Sequence, residues 1–159
     1  MTETSDYVAL VRLQSAYADV ITRRAFVELR ELFVPDIVVT IDTRRGEPLR
    51  LVGPDAVGDF VGKALEPLEL IEFVILNTVI DIAHDPSAGG ATARMYMCEL
   101  RQASADHRFT VAYGLYQDRY AKVDGRWWFA ERIYASLART SPDPARDLDA
   151  FPFPPSAFP

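Results

Sequence analysis

Glu99 and Arg101 stand two apart in the run RMYMCELRQ. Residues two apart on a β-strand share a face, so a carboxylate lies beside a guanidinium there. Such a pair is either part of a working cavity or an exposed cross-strand ion pair. Glu131 is a further carboxylate, two strands away. Tyr96 and Cys98 alternate with Glu99 and so take the opposite face. If those two line a pocket and contact substrate, Glu99 does not. Cys98 is the one cysteine, so it has no internal disulfide partner. Its apolar neighbours make it a small buried hydrophobe. The two histidines, His84 and His107, fall beside turn-like residues, in AHDP and SADHR. No H-x-x-x-H or Cys/His spacing supports zinc. No Gly-rich phosphate loop, G-x-S-x-G or Ser/His/Asp set occurs, and no cofactor is implied. What remains is a set of Phe, Tyr, Met and Leu residues with a few polar groups; a cavity lined by them would suit a small, hydrophobic, ring-bearing ligand.

Helices and strands must position these residues. From Tyr7 to Ile21, Leu10, Leu13, Tyr17 and Val20/Ile21 recur at helical spacing, with Ser5 or Asp6 as the N-cap. Asp19 lies about 200° round from Tyr17 and faces solvent. A second helix is expected from about Phe26 to Phe33, ended by Pro35. A short strand, Ile37 to Asp42, and the turn RRGEP follow. Gly53-Pro54 opens a third helix with Ala56, Val57, Phe60 and Val61 on its apolar face. From Ile71 onward the period becomes two. Four strands are expected, near 71–82, 91–102, 108–121 and 126–138, broken by HDPSAGG, ASAD and VDG. The last contains GRWWFAERIYASLAR. Three helices followed by a long antiparallel sheet make an α+β plan. The Pro-rich end, with three phenylalanines in its last nine residues, continues neither a sheet nor a long helix. It is expected to pack over the pocket mouth or a neighbouring subunit.

With 159 residues, 49% of them apolar, the chain is long enough for one well-buried core. Net charge is −6, and no Lys/Arg cluster exceeds a pair, which argues against nucleic-acid binding. Arg23-Arg24 and Arg44-Arg45 read as solvated charges. There is no signal-peptide pattern and no apolar run of membrane-spanning length, so no membrane partner and a cytoplasmic location are expected.

The order of elements resembles a known family. YADVITRRAFVELRELFVPDIVVTID resembles the opening of SnoaL-like proteins of the nuclear transport factor 2-like superfamily: a long helix, a second helix ending in L-F-x-x-D, then a strand. GPDAVGDF resembles that family's third helix, and DGRWWFAER its last hairpin. The resemblance covers about residues 7 to 139. It implies a cone-shaped α+β barrel, a curved, mainly antiparallel sheet wrapped round the first helix with a pocket at its open end. Residues 1–139 would form the domain and 140–159 a tail. Members include scytalone dehydratase, hexachlorocyclohexane dehydrochlorinase, ketosteroid isomerase, limonene epoxide hydrolase and polyketide cyclases, and many are non-catalytic. Function therefore rests on the pocket residues.

Set against the dehydratases and the dehydrochlorinase, Thr22 falls at the position of their catalytic aspartate and Phe73 at that of their histidine. Neither side chain does acid–base work, so His–Asp chemistry is not expected, and both become substrate contacts. Arg132 falls on the dehydrochlorinase's arginine, where a buried guanidinium stabilises charge; its plain alternative is a surface ion pair with Glu131. Set against ketosteroid isomerase, Tyr17 and Tyr116 fall on the two oxyanion donors. Asp42 falls one residue past the base position, which Ile41 occupies. That offset reverses the strand face unless a bulge restores it. Glu99, Arg101 and Glu131 resemble, out of order, the Asp–Arg–Asp set of limonene epoxide hydrolase. The resemblance thus implies a cofactor-free isomerase, cyclase or dehydratase for a small hydrophobic carbonyl compound, with Asp42 as base, Tyr17 and Tyr116 as donors and Arg132 assisting. The alternatives are a ligand-binding protein, an epoxide-opening enzyme, or an accessory subunit of a ring-hydroxylating oxygenase. A homodimer is the expected assembly.

Overall fold

The computed structural model describes residues 2–83 and 90–158. The HDPSAG segment with His84 lies outside them. Helix α1 spans Glu3–Arg23 and begins four residues before the expected start. Thr2 is the cap: its hydroxyl accepts from the Ser5 N–H at 3.3 Å, and Glu3 and Asp6 sit favourably in the first turn. Asp6 also accepts from Lys122 Nζ at 2.6 Å and Trp127 Nε1 at 2.9 Å, which ties the helix start to the last hairpin. Arg24 closes α1 in the left-handed conformation, with φ 60°. Its guanidinium is not simply solvated: it donates to the carbonyls of Leu65 and Leu68, both at 2.7 Å.

The second helix is a single 3₁₀ stretch, Phe26–Glu31. Strand β1, Phe33–Asp42, starts four residues earlier than expected because Pro35 sits in the irregular register between Phe33 and Val38. A bulge needs no ladder N–H, so proline is tolerated there. β2 (Leu49–Val52) was not anticipated; it follows the RRGEP turn. Helix α2 is Pro54–Leu65, entered through Gly53 at φ 87° with proline in its first turn. The long strands are β3 (Leu68–Ile82), β4 (Gly90–Ala103), β5 (Phe109–Val123) and β6 (Arg126–Thr140). Asp124 and Gly125, at φ 50° and 79°, make the two-residue turn between β5 and β6.

The sheet order is β2-β1-β6-β5-β4-β3, antiparallel except for the parallel β1–β6 pair. One face curves around α1, and Leu10, Leu13, Tyr17, Val20 and Ile21 of that helix are buried against it. This is the α+β arrangement of helices on a curved, mainly antiparallel sheet. Among the described residues, no helix is long and apolar enough to cross a membrane.

The Pro-rich tail departs from expectation. Leu148–Ala150 forms a short strand, β7, paired with Ala138–Thr140 of β6. Its prolines come before and after these three residues, so the ladder N–H groups remain. Beyond it, the Phe151 N–H donates to Leu137 O at 2.9 Å. Gln117 Nε2 donates to Pro155 O at 2.9 Å, and Gln117 Oε1 accepts from the Ala157 N–H at 2.7 Å. Phe153 rests against Tyr96. The tail therefore covers the outer face of its own sheet.

Candidate functional site

Cross-strand partners share a face, so the register lays out the inner face in rows. At the closed end Ala91, Tyr120 and Phe129 lie in one row, and Ala93, Asp118 and Arg132 in the next. Met95, Tyr116 and Tyr134 follow, then Met97, Gly114 and Ser136. Phe73, Glu99, Ala112 and Arg139 form the row after that. Phe129 and Tyr120 are at most 1% exposed, whereas the Glu99 and Arg101 side chains reach 15% and 25%. The Glu99 end is therefore the more exposed end of the inner face.

The deepest charges are Asp118 and Arg132, both fully buried. Arg132 Nε donates to Asp118 Oδ1 at 2.7 Å, and Nη2 to Oδ2 at 3.1 Å. Tyr120 donates its hydroxyl proton to Asp118 Oδ2 at 3.1 Å and accepts from Gln14 Nε2 at 2.8 Å. The guanidinium also packs on three rings, 4.1 Å from Tyr17, 4.0 Å from Tyr116 and 4.2 Å from Phe129. Nη1 is buried without a hydrogen-bond partner among the described residues. Burial opposes the charge on Arg132, but Asp118 and the two phenols outweigh it and hold its pKa above the ordinary arginine value. Burial pushes the Asp118 carboxyl up, and Arg132 and Tyr120 pull it back.

Tyr17 and Tyr116 meet above this guanidinium, their hydroxyls 3.3 Å apart. Burial raises both phenol pKa values; Arg132 works against the rise, and nearby Glu99 adds to it. Both are therefore protonated at neutral pH and available as hydrogen-bond donors. Phe73 packs edge-on to Tyr17 at 5.4 Å and lies 6.2 Å from Tyr116. Thr22 Oγ1 accepts from the Phe73 N–H at 3.0 Å. Thr22 and Phe73 thus adjoin, Phe73 against the phenols and Thr22 holding its backbone.

Glu99 faces inward, next to Phe73 across the strand pair. Arg101 donates from Nε and Nη2 to its Oε2; Oε1 has no partner among the described residues. Tyr96 and Cys98 are consequently on the outer face, Tyr96 beneath Phe153 of the tail. Their expected place in the pocket fails because the apolar series Ala91, Ala93, Met95 and Met97 is the one buried in the same core as the apolar stripe of α1. Asp42 is also misplaced. The β1–β6 register runs without a shift from Val38 to Asp42, so Ile41 shares the face of Tyr134 and Asp42 points away. Asp42 accepts instead from the Arg44 N–H at 2.8 Å and lies 3.4 Å from that guanidinium. Glu131 pairs with Arg119 on the outer face, 2.9 Å apart, across the sheet from Glu99 and Arg101. The three-residue epoxide arrangement is therefore not assembled.

A shift in the β5–β6 register between Arg119 and Tyr120 explains how Arg132 reaches the interior. It leaves Ala130 unpaired, so Phe129 and Arg132, three apart, both point inward. Gly114 is needed for Tyr134: a Cβ there would meet the Tyr134 ring at 2.2 Å. Asp118, Tyr120 and Gln14 escaped the sequence reading although a signal existed. YQDRY places Asp118 on the face of Tyr116 and Tyr120, and Gln14 lies on the helical stripe of Leu10, Leu13 and Tyr17.

The fold agrees with what comparison with known proteins shows. The SnoaL-like domain matches residues 2–133, and the chain belongs to that family. Among solved structures, a scytalone dehydratase-like protein from Novosphingobium aromaticivorans superposes with a TM-score of 0.74. It is 23% identical over 86% of this chain and 87% of its own. The type 2 hexachlorocyclohexane dehydrochlorinase LinA gives 0.73 at 17% identity, over 98% and 97% of the two chains. A protein of cystatin-like fold from Caulobacter vibrioides gives 0.66 at 18%, over 87% and 92%. No curated protein sequence matches the chain. At these identities the structural likeness speaks to the fold alone.

Proposed function

We propose that this chain is a cofactor-free acid–base enzyme acting on a small hydrophobic carbonyl compound, such as a polyketide, terpenoid or steroid, by isomerisation, cyclisation or dehydration. The carrying observation is the paired Tyr17 and Tyr116 hydroxyls stacked on a buried guanidinium with one unpartnered nitrogen. Neutral phenols backed by a fixed cation, in a site shielded from water, suit an oxygen that gains negative charge. The fold resemblance to a dehydratase-like protein and a dehydrochlorinase is compatible with this class.

In this reading Glu99 replaces Asp42 as the base. Its Oε1 takes a proton from the carbon next to the carbonyl. The C–H electron pair forms the enolate C=C bond, and the carbonyl pair moves to oxygen. Tyr116, the more exposed phenol at 9%, donates to that oxygen, while Tyr17 supports it and Arg132 balances the charge. Return of the proton from Glu99 to another carbon isomerises the substrate; in dehydration the enolate pair forms the Cα=Cβ bond, the β C–O bond breaks, and Glu99 gives its proton to the departing oxygen, which leaves as water.

A second reading, a ligand-binding protein, has its own observation. Two surface cavities, about 760 and 840 Å³, lie at the start of α1 and between the 3₁₀ helix and α2, and neither is lined by the inner cluster. One assay separates the two. The protein is incubated in D₂O with cyclic and β-keto compounds, and deuterium entry beside the carbonyl is followed by NMR. Exchange that vanishes in Glu99→Gln and falls at least tenfold in Tyr116→Phe, both folded, supports the enzyme. No exchange by the wild type across the panel favours binding.

A further inference from the structure

Among the described residues, the inner face holds a cation, Arg139, that the acid–base reading does not use and that no carboxylate pairs. Arg139 lies in the row of Glu99 and Phe73, and only the methyl group of Ala112 stands between it and Glu99. It is half-buried, and its Nε donates to Ser136 Oγ at 3.0 Å. Ser136 is itself fully buried, so this nitrogen is fixed. Among the described residues, Arg139 has no carboxylate within ion-pair distance. Glu99 is taken by Arg101, and Asp149, opposite on β7, pairs with Arg146 at 3.7 Å. From Asp118 to the Glu99 end, the inward positions of β4 to β7 carry Arg101, Arg132 and Arg139 against Asp118, Glu99 and Asp149. Asp118 pairs with Arg132, Glu99 with Arg101 and Asp149 with Arg146, so among the described residues Arg139 is the inward cation left to attract an anion.

A polar contact and then an aromatic one lead from Ser136 to Tyr116. Ser136 Oγ lies 3.3 Å from the Tyr134 hydroxyl, and the Tyr134 ring is 5.0 Å from that of Tyr116. We infer that the site takes substrates bearing a carboxylate, and that Arg139 binds it through its two terminal nitrogens while the carbonyl meets Tyr116. The orientation rests on the acid–base reading; the anion contact does not. A planar guanidinium held at Nε presents its remaining donors in the geometry of a carboxylate.

The test uses 4-oxocyclohexanecarboxylate and its methyl ester, which differ only in the anion. Dissociation constants come from isothermal titration with the wild type, Arg139→Gln and Arg139→Lys, each checked by thermal melting. The acid is expected to bind the wild type about ten- to hundredfold more tightly than the ester. Arg139→Gln should bring that ratio to about one while leaving the ester's constant unchanged. Arg139→Lys should keep part of the preference and lose it with added salt. A wild-type ratio near one, no detectable acid binding, or an unchanged ratio in Arg139→Gln overturns the inference. Deuterium exchange in the same samples separates the two ideas. Acid preference without exchange defeats the acid–base reading alone, and exchange without acid preference defeats the carboxylate assignment alone.

Discussion

Replacing Asp118 with leucine should unfold this protein far more readily than replacing Asp118 and Arg132 together. The Arg132 side chain is 0% exposed and bonded twice to Asp118, with aromatic rings over its remaining surface. Without the carboxylate the guanidinium is a buried, uncompensated charge, and the Tyr120 hydroxyl loses its acceptor. Breaking one side of such a pair costs about 3–5 kcal/mol, a large share of the roughly 5–15 kcal/mol that holds a domain folded. With a urea m-value of about 2 kcal/mol/M, the midpoint should fall by about 1.5–2.5 M. Asp118→Leu/Arg132→Met removes both charges and fills the space with apolar groups. It should restore most of the loss, because exchanging a whole buried pair for hydrophobic residues is near neutral. Fluorescence of Trp127 and Trp128 reports the transition. A single-mutant cost under about 1 kcal/mol, or a double mutant no better than the sum of the singles, would refute the reasoning. The folded double mutant then tests chemistry cleanly: if it still catalyses deuterium exchange, the Arg132 charge is not part of the mechanism.

Gly114→Ala puts a methyl group into the Tyr134 ring and should cost about 1–3 kcal/mol in urea unfolding, recovered in part by Tyr134→Leu. Gln117→Ala removes both side-chain bonds to the tail, so carboxypeptidase should trim residues after 150 much faster than in the wild type. Glu69 and His107, 2.7 Å apart at the surface, shift each other. The hydrogen bond that the His107 ring N–H donates to the Glu69 carboxylate lowers the Glu69 pKa below 4.5 and raises the His107 pKa above 6.5. The glutamate's contribution is present above about pH 4.5 and lost as pH falls. The histidine's is present below about pH 6.5 and lost as pH rises. Their contact should therefore stabilise the fold fully between those limits and fade outside them, and NMR titration of Glu69→Gln should show the His107 pKa moving down toward 6.5.

Much of the scaffold was legible in the sequence. The stripe Leu10, Leu13, Tyr17, Ile21 faces the sheet as helical periodicity demands. The period-two runs become the four long strands, and Asp-Gly makes the last turn. The site was only partly legible. Tyr17, Tyr116 and Arg132 meet in space, but their neighbours were misassigned wherever one residue of register decided the face. Alternation says that Tyr96 and Cys98 oppose Glu99, but not which side meets α1. The neighbouring methionines and alanines decided that by joining the core that the apolar stripe of the helix also enters.

What the sequence determined by itself is local: helix and strand periods, the capped and turned ends, and the resemblance carried by their order. What only the tertiary structure decided is long-range. Nothing local shows that Ala130 is left unpaired, yet that shift turns Arg132 inward to Asp118 on the neighbouring strand. Nothing local shows that β1 runs in unbroken register beside β6, yet that register turns Asp42 away from the phenols and onto Arg44. Strand propensity and alternation are properties of one segment. Register, bulges and the pairing of buried charges are properties of two segments, fixed by which combination leaves the fewest apolar groups in water and the fewest charges alone.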